Sequence, residues 1–275
     1  MSWVTFARHD VTFRGWDGGA GTPIVFQHGL GGDEAQVAEN VPEKDGWRRL
    51  TLECRAQGQS SAGDASKFSI AAFADDVLDF ATSRGVDRFV VGGISMGAAI
   101  ALRIAACEPR RVAALILARP AWLFDAAPEN MQSIAEVARY LKSPDPVAAR
   151  AAFKDTPLAR RYAVEAPDNL ATLLNHFGAE DRITRANLLG AIAADGPGVS
   201  LDQVRAVRIP TLVIGHAVDA IHPLGMAEAL AATITGARLA IITPKAVDKA
   251  RHVAEFRDAV SAFIDDLPSD QGYLP

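Results

Sequence analysis

The chain is sparing in several features that would direct its reading elsewhere. Only two of its 275 residues are cysteine, Cys54 and Cys107. They lie far apart and without C-x-x-C spacing, which argues against a disulfide framework or a zinc site. Both are expected to pack as small hydrophobes. Basic charge is not in excess: 28 Lys and Arg stand against 33 Asp and Glu, a formal net charge of −5. No basic helix or arginine-rich arm offers a footprint for nucleic acid. No apolar run reaches the roughly 18 residues needed to span a membrane. The opening MSWVTFARHD lacks the charged and apolar regions of a signal peptide. Internal repeats and low-complexity tracts are missing as well. These absences lead to the expectation of a soluble, cytoplasmic protein with no nucleic-acid or membrane partner; its oligomeric state is left open.

What is present is a chain of ordinary globular composition, 49% apolar and 22% charged, long enough to bury a large core. Its most informative stretch runs from Arg88 to Cys107, RFVVGGISMGAAIALRIAAC. Phe89, Val90 and Val91 suit a buried strand, and the alanine-rich segment after Ser95 suits a helix. A serine between them, in Gly93-Ile94-Ser95-Met96-Gly97, would sit on a sharp strand-to-helix turn with its hydroxyl pushed out of the sheet. The N–H that follows it opens a helix, where unpaired donors favour negative charge. Taken alone, G-x-S-x-G is common enough to be only a glycine-rich connection, so its neighbours must decide.

Apolar strands alternate with helical patterns along the first part of the chain. Trp3–Phe6 and Val11–Trp16 read as an antiparallel hairpin at a sheet edge. Ile24–Gln27, Arg49–Cys54, Phe89–Val91 and Val112–Ala118 read as further strands. Ser69 is placed to cap a helix whose apolar positions Ile70, Phe73, Val77 and Phe80 share a face. Between about 120 and 199 no good strand appears, and prolines separate short helical stretches such as Ser133–Leu141 and Leu170–Phe177. Strands resume at Pro210–Gly215 and Arg238–Thr243, and His252 stands at the head of a final helix. The tail from Pro268 onward reads as loose. The expected fold class is α/β: a mostly parallel twisted sheet flanked by helices, its core formed by residues 1–119 and 200–275, with 120–199 an inserted helical cap over the strand ends.

Acyl transfer by a serine needs a base, a carboxylate to orient that base, and donors for the oxyanion. Asp219 lies past one late strand and His252 past the next, giving the order Ser95, Asp219, His252. His28-Gly29-Leu30 follows an early strand, which places the Leu30 N–H as an oxyanion donor alongside that of Met96. His222 is a rival base. It lies three residues after Asp219 in the same loop, and lining the pocket or capping the next helix is its other reading.

With these residues in view the chain resembles the α/β-hydrolase fold proteins over nearly its whole length. The resemblance implies a catalytic triad of Ser95, Asp219 and His252, oxyanion donation from Leu30 and Met96, and no metal or organic cofactor. Two departures stand out. Members often carry R-G-H-G-x-S where this chain has Arg55-Ala56-Gln57-Gly58-Gln59-Ser60, and often a glycine before the histidine where this chain has Arg251. The expected activity is a serine hydrolase that cleaves a small carboxylic ester or lactone, acid-bearing where Arg119 serves as a carboxylate clamp, through an acyl-enzyme on Ser95. A carbon–carbon bond hydrolase with the same triad and a non-catalytic ligand receptor on the same fold are the alternatives. Three further residues are expected to bind substrate. Arg119 ends an apolar strand and suits a substrate carboxylate, a structural salt bridge being its competing role. Trp122 is read as a pocket wall or a core residue, and His28 as part of the glycine-rich loop facing the ligand.

Overall fold

The computed structural model describes residues 2–267, so the tail from Pro268 lies outside the described residues. The chain opens with β1 (Ser2–Arg8), β2 (Val11–Gly19), β3 (Gly21–Gln27), α1 (Glu34–Asn40), β4 (Gly46–Leu52), α2 (Ile70–Ser83), β5 (Phe89–Ile94), α3 (Met96–Cys107) and β6 (Val112–Ala118). Between β6 and the next strand lie α4 (Gln132–Leu141), α5 (Pro146–Lys154), α6 (Pro157–Glu165), α7 (Pro167–Asn175), α8 (Arg182–Ala194) and, just past residue 199, α9 (Leu201–Arg205). The sheet resumes with β7 (Thr211–Gly215), α10 (Leu224–Thr233), β8 (Arg238–Ile241) and α11 (Lys249–Asp265).

Eight strands form one sheet in the order β1-β2-β4-β3-β5-β6-β7-β8. The β1–β2 hairpin is the antiparallel edge, β2 joins β4 antiparallel, and every later pairing is parallel. Side chains alternate across the strands, so the sheet has two apolar faces. Ile24, Phe26, Val90 and Ile116 meet Phe256, Val260 and Phe263 of α11 on one face. Val25, Val91, Leu115 and Leu117 meet Phe73, Val77 and Phe80 of α2 and the alanine-rich α3 on the other. Each buried phenylalanine contributes roughly 1.5–3 kcal/mol of transfer free energy, and the strands between them are covered on both sides.

The prolines of the inserted region act differently from simple breaks. Pro146, Pro157 and Pro167 each occupy the first helical turn, where a missing N–H costs nothing and the fixed φ favours the helix. Asp145 and Thr156 cap two of these helices with their side chains. Ser69 caps α2 as its position suggested, its side chain accepting from the Ala72 N–H at 3.1 Å. One helix was not read from the sequence, and one sequence expectation is corrected. Helix α1 follows the glycine-rich loop, held by the Asp33 side chain, in a stretch too short and polar for a clear apolar period. Cys107, the last residue of α3, is exposed rather than packed, the buried positions of the helix ending at Ala105; Cys54 is buried.

Candidate active site

Ser95 stands between β5 and α3 with φ at +56° and ψ at −111°, a conformation that a non-glycine residue adopts only when its surroundings impose it. Those surroundings are visible. The Ser95 N–H donates to the Ala118 carbonyl at 2.9 Å, and the Ser95 carbonyl accepts from the Ala99 N–H at 3.1 Å. A Cβ on Gly93 would fall 2.3 Å from the Gly97 carbonyl carbon, and one on Gly97 would fall 2.4 Å from the Gln27 carbonyl oxygen. Both glycines are therefore required by close backbone approach, and the G-x-S-x-G spacing is steric in origin.

The loop after β3 is held open from both sides. The Gly29 N–H donates to Gln36 Oε1 and the Gly31 N–H to Gln57 Oε1, both at 2.7 Å. The Leu30 N–H between them, and the Met96 N–H that opens α3, have no hydrogen-bond partner among the described residues. Gln57 sits where the resemblance would put histidine, and it fills that position by holding the glycine loop.

The imidazole that reaches Ser95 is His222. Its Nε2 lies 2.8 Å from Ser95 Oγ, and its Nδ1 lies 2.9 and 3.0 Å from the two oxygens of Asp219. The carboxylate can only accept, so Nδ1 carries the proton and the bare Nε2 accepts from the Ser95 hydroxyl. His252, expected in this place, is elsewhere. It lies in the first turn of α11, its Nδ1 donates to the Thr243 carbonyl at 2.9 Å, and its ring meets that of His216 edge-on at 5.1 Å. The physical reason lies in the two loops. Asp219 Oδ1 accepts the backbone N–H groups of Ile221 and His222 at 3.2 and 2.9 Å. This curls the loop after β7 into a tight turn that brings the His222 ring back alongside the carboxylate. His252 has no such freedom, because the Asp248 side chain caps α11 ahead of it and fixes it within a helix. The Asp219-Ala220-Ile221-His222 spacing permits this turn, since an Asp often accepts from N–H groups two and three residues on, but the spacing does not by itself select His222 over His252.

Asp219 is densely solvated by the protein. Oδ1 also accepts from Asn169 Nδ2 at 2.9 Å, while Oδ2 accepts from Arg119 Nε and Nη2 at 3.0 and 2.6 Å. Burial alone would raise its pKa, but His222, Arg119 and their hydrogen bonds outweigh it and hold the carboxyl well below the usual range. Burial pulls the His222 pKa down; Asp219 opposes this and Arg119 adds to it. His216 is also close, its Nε2 3.4 Å from Asp219 Oδ2. Asn169 comes from α7 of the inserted region and also accepts the Ala220 N–H at 2.6 Å. Nothing in the sequence marked it, because its partners are fifty residues away.

The substrate-binding expectations fare unevenly. Arg119 does line the cavity at Ser95, together with Leu30, Ile134, Asn169, His176 and Lys245, around a volume of about 100 Å³. Its guanidinium is nevertheless committed to Asp219, the structural ion pair that competed with the clamp reading. Trp122 is 2% exposed, donates from Nε1 to the Asp195 carbonyl at 2.9 Å, and is a core residue rather than a cavity wall. His28 is fully buried: its Nδ1 donates to the Gly29 carbonyl at 2.8 Å and its Nε2 accepts the Cys54 N–H at 3.0 Å. With both nitrogens occupied by backbone it shapes the loop and does not face a ligand. Among the described residues no helix is long and apolar enough to cross a membrane.

The family model described as alpha/beta hydrolase fold matches residues 22–254. The chain belongs to that family. Within it, the putative carbamate hydrolase RutD of Rhizobium rhizogenes is 29% identical over 228 residues, 79% of this chain and 82% of the relative. Among solved structures, the enol-lactonase from Burkholderia xenovorans superposes with a TM-score of 0.72 at 23% identity, covering 96% of this chain and all of the other. A meta-cleavage product hydrolase from Pseudomonas fluorescens superposes at 0.70 with 17% identity, covering 94% of this chain and 96% of the other. These two likenesses establish the alpha/beta hydrolase architecture and leave the reaction to be read from the site.

Proposed function

We propose that the chain is a serine hydrolase that cleaves a small carboxylic ester or lactone through an acyl-enzyme on Ser95, with His222 as the base. The observation that carries this reading is the unbroken series Ser95 Oγ–His222 Nε2 at 2.8 Å and His222 Nδ1–Asp219 at 2.9 Å, within the reach general-base catalysis needs. His222 Nε2 takes the hydroxyl proton as Ser95 Oγ attacks the carbonyl carbon. The N–H groups of Leu30 and Met96, which have no other partner among the described residues, receive the tetrahedral oxyanion. His222 then gives its proton to the leaving alkoxide, and the acyl-enzyme remains. Water, deprotonated by His222, attacks the acyl carbon, and the free acid leaves as Ser95 recovers its proton. Asp219 holds the Nδ1–H tautomer and stabilises the imidazolium; Arg119 and Asn169 hold Asp219. The same steps serve the carbonyl of a carbamate, the substrate class in the name of the relative.

A serine-directed fluorophosphonate tests the reading. Prompt labelling of the folded protein, lost in Ser95→Ala and in His222→Gln but kept in His252→Gln, is the expected result. Labelling that needs His252 and ignores His222 would overturn the assignment of the base. No labelling of folded protein would remove the hydrolase reading and leave a ligand receptor. A panel of esters and lactones with the Ser95→Ala control then fixes the bond cleaved.

A further inference from the structure

Gly31, with φ at +78°, has two side chains packed over it: a Cβ there would meet His176 Cε1 at 2.6 Å and Arg185 Nη1 at 2.8 Å. Both side chains lack polar partners. Arg185 is half-buried, yet its guanidinium forms no ion pair and no hydrogen bond among the described residues. His176 is 7% exposed, and its buried Nε2 has no partner. A desolvated cation without a counter-charge and an unsatisfied buried nitrogen are both costly, and their coincidence is the mark of a site that waits for a ligand. Burial, with nothing to offset it, pulls the Arg185 pKa down. Burial and then Arg185 push His176 down to about 4. The ring is therefore neutral near pH 7 and able to donate one proton.

The placement connects this pair to the chemistry. His176 lines the Ser95 cavity and also a second, outer cavity of about 390 Å³, whose wall includes Arg185, Gly31, Gly32 and Thr172. Leu30, Gln36 and Thr172 are shared between the two cavities as well. Gly31 directly follows Leu30, so the guanidinium packs over the residue next to the loop N–H assigned to the oxyanion. The side chains of Asp33 and Asp181 serve as helix caps, Asp33 accepting from the Ala35 and Gln36 N–H groups and Asp181 from the Thr184 N–H, and neither forms an ion pair with Arg185 among the described residues.

We propose that Arg185 and His176 form a carboxylate-binding subsite at the outer end of the Ser95 cavity, and that the substrate is an ester or lactone bearing a second, free carboxylate. Arg185 takes that carboxylate through paired N–H bonds and His176 donates to it, while the scissile carbonyl lies at Ser95. This inference rests on Ser95 as the reacting residue, and it replaces Arg119, which Asp219 occupies, as the group that selects acidic substrates.

The test uses the full chain carrying Ser95→Ala, titrated calorimetrically with the monoethyl esters of succinic, glutaric and adipic acids and with the matching diethyl esters. At least one half-ester is expected to bind about tenfold or more tightly than its diester. That preference should vanish in Ser95→Ala/Arg185→Gln and return in part in Ser95→Ala/Arg185→Lys. A melting temperature of Ser95→Ala/Arg185→Gln no lower than that of Ser95→Ala shows that the variant is folded. Equal binding of half-esters and diesters, or a preference that survives Arg185→Gln, overturns the subsite. If the half-ester preference depends on Arg185 while fluorophosphonate never labels Ser95, the subsite stands and the hydrolase reading falls. Labelling without any preference gives the reverse.

Discussion

Two histidines follow neighbouring strands of this sheet, and they behave as opposites. His222, after β7, lies in a loop whose backbone wraps the Asp219 carboxylate, and its ring is delivered to Ser95. His252, after β8, lies inside the first turn of α11 and spends its Nδ1 on the Thr243 carbonyl. Chain order alone favours the second, because the resemblance places a base just after the last strand. Local geometry decides for the first. A residue's usefulness as a base depends on which loop can bend its ring into contact with both partners, and a helix cap removes that freedom.

The contrast breaks most sharply under substitution. Ser95→Ala and His222→Gln should each lower kcat/KM for a cleaved ester by about 10⁴-fold or more, whereas His252→Gln should stay within about threefold; steady-state assays of the three variants decide it. Asp219→Asn should cost about 10³–10⁴-fold, because an amide favours the wrong tautomer of His222. The same assay would show a far smaller loss if Asp219 served only to hold Arg119.

A third buried histidine sharpens the comparison from the side of stability. The folded chain holds His176 at about 4 against an ordinary 6.5. As pH falls from 6.5 towards 4, the unfolded chain takes up a proton that the folded ring refuses, so stability falls across that window. The loss should approach about 3 kcal/mol at its lower end. Urea unfolding of wild type and His176→Gln at several pH values should show the variant losing less.

Smaller effects concern the residues behind Asp219. Asn169→Ala removes one of its donors and the brace on the Ala220 N–H, for an expected loss of about tenfold in kcat with little change in KM. The acid limb of the kcat/KM profile should lie below the ordinary histidine value of 6.5, because burial and then Arg119 outweigh Asp219 in lowering His222. Arg119→Met removes one of those lowering influences, so the limb should move to higher pH. A limb that stays in place would mean that Arg119 does not act on His222.

Much of this was readable along the chain. The antiparallel edge hairpin, the strand–serine–helix turn and the run of parallel strands all follow from local apolar runs and small residues, which obey short-range sterics. The short helix α1 was hidden because seven residues carry too little periodicity, and the exposure of Cys107 depended on which residues cover the last turn of α3. Arg251 in place of glycine before His252 was the visible hint that this histidine would be helical.

By itself, then, the sequence determined that Ser95 would sit on a strained elbow, since Gly93 and Gly97 permit that turn and no bulkier pair would. It also placed Asp219 past a strand end. Which imidazole would meet them was settled only by the tertiary structure, as were the gathering of Asn169 from α7 and Arg119 from β6 around one carboxylate, and the meeting of Arg185 and His176 over Gly31. These choices turn on contacts between residues fifty to more than a hundred positions apart, and no local pattern encodes a distance of that kind.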